Sequence, residues 1–301
     1  MPLDVICVGV ATVDTITTVK SMPGEDERIV AEPFLVAGGG PAATAAVTLA
    51  RLGAAVGFCG VVGDDDAGVF VRNLLEREGI DTSWIVTSAG TSTPQSMIIV
   101  SRNSQSRTII TTPSHGPEPE HIPTEASRWL HVDQTGYAST RAALRSRRAA
   151  VLLSIDGGNP IEGLDLEGVE LYAPTTASLA RIFPATNIEE SLRAAARAGA
   201  RQVVATASGE GSYVLVDGDM VLVQSYPVET VSTMGAGDVF HGAVLAGLVE
   251  GRNLVCATRR ANAVAALSCR ALDGRSGIPD AATTEEFMAA ASAAQLVRDR
   301  S

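Results

Sequence analysis

The stretch "STMGAGDVFHG", Ser232–Gly242, decides the reading of this 301-residue chain. Gly235, Ala236 and Gly237 lead straight into an acid, Asp238, and then into the apolar, helix-like run VFHGAVLAGL. Small residues at a helix entrance leave backbone N–H groups facing outward, where the helix dipole favours an anion. A carboxylate placed there needs a separate role. The conflict is resolved if the amides of Gly235, Ala236 and Gly237 face a transferring phosphoryl group. Asp238 then accepts the proton of the hydroxyl that attacks it. The bland alternative is an acid that merely stabilises the helix N-terminus.

Outward from this stretch, apolar strand-like runs alternate with Ala/Leu/Arg-rich helical ones. DVICVGV, AVGFCGVVG, RWLHVD, AAVLLSID, VELYAP and QVVATAS read as strands. PAATAAVTLARLG, with Pro41 at its first turn and Gly53 at its stop, reads as a helix, as do AGVFVRNLLEREG and SLRAAARAGA. Repeated β-α units of this kind predict a doubly wound, mostly parallel sheet with helices on both faces, in one domain over residues 1–301. Two segments break the alternation, at 14–37 and 93–112. Both are rich in β-branched residues, with turn chemistry at Pro23-Gly24 and Asn103-Ser104. They predict two antiparallel hairpins that assemble one small β lid.

A formal charge of −11 argues against nucleic acid as a partner. No apolar run is long enough to span a membrane. Cys7, Cys59, Cys256 and Cys269 form no CxxC pair and read as free thiols in a reducing cytoplasm. The opening MPLDVICVGVATVD lacks a basic region and reads as a first strand rather than a targeting segment. GGGPAA, Gly38–Ala43, has the spacing of a dinucleotide fingerprint. However, it follows the lid rather than the first strand, and Pro41 interrupts it. We read it as a tight turn that lets a ligand approach the backbone. No G-x-x-x-x-G-K-[ST] loop occurs.

Taken in order, Asp14 after the first strand, Gly39-Gly40 opening a helix, VVGDDDAG (61–68), TASGEGS (206–212), GAGDVFHG and ALDGRSGIP resemble the PfkB (ribokinase-like) family of carbohydrate kinases along nearly the whole chain. The resemblance implies ATP and Mg²⁺ as cofactors and a sugar hydroxyl as acceptor. It assigns Asp238 as base and Gly235, Ala236 and Gly237 as the anion hole. Asp14, Gly39, Gly40, Thr44 and Arg107 would hold the sugar. Thr206, Ser208, Gly209, Gly211, Asn262, Gly274 and Gly277 would surround the nucleotide. Within the family, GGGPAATAAVTLARLG, VGDDDAG and GRSGIPD are similar to sulfofructose kinases, and CVGVATVDTI and SRTI to ketohexokinases. Both relatives phosphorylate C1 of a ketose, so a ketose, including 6-deoxy-6-sulfofructose, is the expected acceptor.

The chain departs from the family pattern at four places, the first being Thr44 where an Asn is expected in the helix after Gly39-Gly40. Ser232 replaces the acid associated with a monovalent-cation site. Thr175–Ser178 replaces the N-x-x-E that helps to hold Mg²⁺, which leaves the metal mainly to the nucleotide phosphates, with Asp156 as a candidate ligand. Gln134 and Thr135 stand where a basic sulfonate contact is expected. Three alternatives stay open: a fructokinase- or ribokinase-type enzyme, a nucleoside kinase on the same fold, and a catalytically silent sugar-binding protein. Apolar lid residues Ile98, Ile99, Ile109 and Ile110 predict a homodimer through the lid sheets.

Overall fold

In chain order, the aliphatic runs form β1 (Leu3–Val8), β2 (Thr12–Val19), β3 (Leu35–Gly39), β4 (Val56–Gly63), β5 (Asp81–Ser88), β6 (Gln95–Ser101), β7 (Arg107–Thr111), β8 (Ser127–Val132), β9 (Leu152–Gly157), β10 (Leu171–Pro174), β11 (Gln202–Thr206), β12 (Gly211–Val216) and β13 (Asp219–Gln224). Between and after them come α1 (Pro41–Arg51), α2 (Asp66–Arg77), α3 (Tyr137–Arg147), α4 (Thr176–Ile182), α5 (Ile188–Arg197), α6 (Ala236–Val249), α7 (Leu254–Ser268) and α8 (Ala281–Arg298). The structure is a computed structural model that describes residues 3–104, 106–147 and 150–298.

Helix starts follow local chemistry. Pro41 opens α1, where its missing N–H has no intrahelical acceptor anyway. The Asp65 side chain accepts the Gly68 N–H at 2.8 Å to cap α2, and Asn187 and Asn253 cap α5 and α7 in the same way.

Nine strands form the main sheet in the order β13-β12-β11-β10-β9-β8-β1-β4-β5. Pairing is parallel from β11 to β5, and the β12–β13 hairpin adds an antiparallel edge. Alternate residues of β1 feed opposite layers. Val5 and Cys7 pack with Leu49 and Phe58, whereas Ile6 and Val8 pack with Leu130 and Ile155. The doubly wound reading therefore holds. The carboxyl ends of the central strands bring Val10, Asp133, Asp156, Thr175 and Thr206 to one rim, where ligands sit on open α/β sheets.

Both predicted insertions form hairpins, and they join as β3-β2-β6-β7. The β2–β3 and β6–β7 pairs are antiparallel and β2–β6 is parallel. Strand alternation divides this lid into two faces. Asp14, Ser96, Ile98, Arg107 and Ile109 line the cleft below it. Val36, Met97 and Ile110 face away, at 53%, 49% and 59% exposure. The isoleucines expected to carry a lid-to-lid dimer are thus split between faces, with Ile98 and Ile109 in the cleft and Ile110 outside. No helix among the described residues is long and apolar enough to cross a membrane.

Candidate active site

Helix α6 begins at the floor of a cleft of about 1020 Å³ between the sheet rim and the lid. Gly235 caps it with φ +70°, and a Cβ there would press on the Gly274 backbone. The two glycines seal the floor by backbone contact. Ala236 N–H turns back to Thr233 O at 3.3 Å. The N–H groups of Gly237 and Asp238, in the first turn, have no acceptor within the helix. Gly237 has open space where a side chain would be. The helix entrance is therefore a clear path for an anion.

Asp238 stands beside this entrance. Burial, with repulsion from Asp156 and Asp133, pushes its carboxyl up to about 7, against the pull of His241 and Arg275. A base with that affinity is half ionised near neutrality and matched to proton transfer. Beneath it, His241 Nδ1 lies 2.8 Å from Asp156 Oδ2, and both side chains are 2% exposed. Burial acts against a charged imidazole, but Asp156 and Asp238 together raise His241 above its usual value, and Asp156 is held below its own. The two form a buried charge pair beneath Asp238. His131, whose ring centre is 6.3 Å from that of His241, is pushed down to about 4 by burial and stays neutral, 2.9 Å from Ser154 Oγ.

The second buried acid of the rim, Asp133, stitches three segments together. It accepts N–H groups from Val10 at 2.9 Å, Ala42 at 3.2 Å, Thr135 at 2.8 Å and Gly136 at 3.0 Å. These donors offset part of a burial effect that raises its carboxyl to about 6.

The glycines at 38–40 line the cleft, yet their missing side chains are explained by the protein rather than by a ligand. A Cβ at Gly38 would collide with the Arg275 guanidinium, at Gly39 with the Asp14 carboxylate, and at Gly40 with the Val10 carbonyl. Ligand approach to the backbone stays compatible with this, because all three glycines line the cleft. Asp14 is 9% exposed, accepts from Thr12 Oγ1 at 2.7 Å and faces the cleft. Thr44 lines the same wall and accepts from Arg275 Nε at 3.2 Å. Arg107 reaches from the lid to Thr233 Oγ1 at 2.9 Å.

On the opposite side, Thr206, Ser208, Gly209, Gly211 and Gly274 line the cleft, with Tyr226 and Ala265 beside them. Ser208 takes a left-handed φ of +52°, which turns the loop sharply after β11. Asn262 also borders the cleft, but its amide is already engaged. It accepts from Ser212 Oγ at 2.8 Å and donates to the Val223 and Gln224 carbonyls at 2.8 and 3.2 Å. It shapes this wall from behind. Gly277 does not border the cleft; a Cβ there would strike the Ser268 carbonyl at 2.5 Å. At the position of the missing N-x-x-E, Thr175 caps α4 through the Ser178 N–H at 3.0 Å.

Asp156, Asp238 and His241 offer ligand atoms within 4.8 Å of one another. One oxygen of Asp156 accepts the Gly158 N–H at 2.8 Å, while the other is buried without a hydrogen bond, 2.8 Å from His241 Nδ1. That orphaned oxygen leaves Asp156 able to serve as a cation ligand. Sequence reading missed Asp133 and Arg275 and assigned no role to His241. The GRSGIP string carried no signal that its arginine folds back under Gly38.

A family model described as pfkB family carbohydrate kinase matches residues 2–281. The chain is 26% identical over 293 residues to a ribokinase of Bacillus subtilis, covering 94% of this chain and 99% of the relative. It is 26% identical over 296 residues to a ketohexokinase of Mus musculus, covering 91% and 98%. The solved structure of Arabidopsis thaliana ribokinase complexed with ribose and ATP superposes with a TM-score of 0.80 at 21% identity, covering 95% of this chain and 99% of that one, a likeness of fold.

Proposed function

The chain belongs to the pfkB family of carbohydrate kinases, and from that premise we propose that it transfers the γ-phosphoryl group of ATP to a hydroxyl of a ketose. One observation carries the reading. A carboxyl tuned to about 7 stands beside an unobstructed helix N-terminus and shares one cleft with the buried acid Asp14. Asp14 accepts hydrogen bonds from sugar hydroxyls and fixes the orientation of the ring. Asp238 takes the proton of the attacking hydroxyl. The first-turn N–H groups of α6 stabilise charge on the phosphoryl oxygens. ATP with Mg²⁺ supplies the electrophilic phosphorus and neutralises part of its charge. The loop after β11 and Gly274 offer the wall that receives the nucleotide. Mg²⁺ would be held mainly by the nucleotide phosphates, with Asp156 as a candidate protein ligand. Lid strands above the cleft exclude water, which otherwise competes as acceptor.

A second reading, C1 of 6-deoxy-6-sulfofructose, requires Arg107, which lines the cleft, to leave Thr233 and pair with the sulfonate. The ketohexokinase relative supports the ketose class, and the ribokinase relative keeps an aldopentose in the comparison. The exposed outer face of the lid supports a homodimer through Val36, Met97 and Ile110. The free thiols, with Cys59 pushed up to about 12 by burial, support a reducing cytoplasmic location. An ATP-consumption screen over fructose, 6-deoxy-6-sulfofructose, ribose, tagatose phosphate and nucleosides tests the assignment. Turnover confined to nucleosides, or none at all, overturns it.

A further inference from the structure

Arg275 stands where three loops meet. Its N–H donates to Asp273 Oδ1 at 2.8 Å, and its carbonyl accepts from Arg51 Nη1 at 2.8 Å. Arg51 is itself held by both oxygens of Glu78, at 2.7 and 2.9 Å. The preceding residue, Gly274, lies against Gly235 at the entrance of α6. The main chain of Arg275 thus belongs to the wall behind the phosphoryl-facing helix.

The side chain runs the other way. It passes under Gly38, donates through Nη2 to Gly39 O at 2.5 Å and through Nε to Thr44 Oγ1 at 3.2 Å. The Gly39–Gly40 peptide is trans, so its carbonyl and N–H point in opposite directions. With the carbonyl drawn to Arg275, the Gly40 N–H leaves on the far side, and Gly40 lines the cleft. The guanidinium also attracts Asp14, Glu78, Asp238 and Asp273. Burial pushes it down to about 10, which still leaves it cationic at neutral pH.

We propose that Arg275 is a positioning residue that fixes the sugar-facing glycine loop relative to the phosphoryl-facing helix entrance, so that acceptor and donor sites keep one geometry. The proposal rests on the reading that the Asp14 wall receives the sugar. A mere structural clamp would lower stability and disturb both substrates alike. A positioning role acts on the sugar side and on turnover.

The test is steady-state kinetics of the full chain carrying Arg275→Met, Arg275→Lys or Arg275→Ala, on the best sugar of the screen above, with thermal unfolding of each variant. The expected result is a sugar KM raised about ten- to hundredfold, the range for losing a charge-assisted hydrogen bond. kcat is lowered, the ATP KM is unchanged, and guanidinium ion restores part of the Arg275→Ala activity. The lysine variant retains charge and bulk and keeps the test open if the methionine variant does not fold. An unchanged sugar KM in any folded variant overturns the proposal. So does a parallel rise of both KM values without rescue by guanidinium. A wild-type protein that phosphorylates no sugar overturns the sugar reading itself, and this inference with it.

Discussion

Arg107 on the lid and Thr233 before the α6 entrance, 126 positions apart in sequence, meet through a 2.9 Å hydrogen bond from Nη1 to Oγ1. The lid arginine is therefore directed to the phosphoryl side of the cleft. A sulfonate on the sugar would have to draw it away from Thr233. We expect Arg107→Ala to lower kcat on every accepted sugar and to leave the ratio of kcat/KM for sulfofructose over fructose within about threefold, since selectivity lies in that ratio. A collapse of a large sulfofructose preference would instead establish Arg107 as the sulfonate contact.

Asp238→Asn keeps the shape of the site and removes its base. The expected loss in kcat is roughly 10²–10⁴-fold with the fold and ATP affinity retained, the usual range for general-base catalysis. Normal turnover by a folded variant would reassign the base.

The pH dependence follows from the same carboxyl. Asp238 must be ionised to accept a proton, and burial raises it to about 7. Activity should therefore climb as pH rises through about 7. The cationic His241 holds Asp238 down, so His241→Asn should move this limb to higher pH. A pH–rate profile of both proteins checks the direction. A limb that moves to lower pH would contradict the ion-pair assignment.

Ser232 is buried, and its hydroxyl accepts the Met234 N–H at 3.2 Å. It supplies no carboxylate at the position linked to monovalent cations in related kinases. Activity should respond weakly to K⁺ in a titration against tetramethylammonium. Strong saturable activation would show that backbone carbonyls suffice.

The outer lid face predicts association. Light scattering at micromolar concentration should give twice the chain mass, and Ile110→Asp should halve it. A wild-type monomer would leave the exposed Val36 and Ile110 without that role.

Periodicity made the βα layers and both lid hairpins readable from sequence, because burial on one or two faces imposes its own repeat. The α6 entrance was equally legible, since Gly235 is demanded by a left-handed φ and Asp238 has a distinct chemistry. Other parts depended on distant partners. Local sequence could not show that Gly38 makes room for residue 275, or that Asn262 spends its amide on β12 and β13. His241 illustrates the same limit. Its meaning depends on Asp156, which sits at the end of a strand 85 residues earlier in the numbering.

The four amides gathered by Asp133 carry a consequence for the order of events during synthesis. Val10 precedes its acceptor by 123 residues and Ala42 precedes it by 91. A nascent chain that has not yet delivered strand β8 holds two of the cleft's inner amides with nothing to bind. Such long-range closures come late in folding, because the intervening chain must first be ordered. The N-terminal third can collapse early around β1, α1 and β4, but the cleft acquires its shape only when the middle of the chain arrives. The pocket thus waits on the middle of the chain, and fragments that stop before it should fold as scaffolds without a pocket.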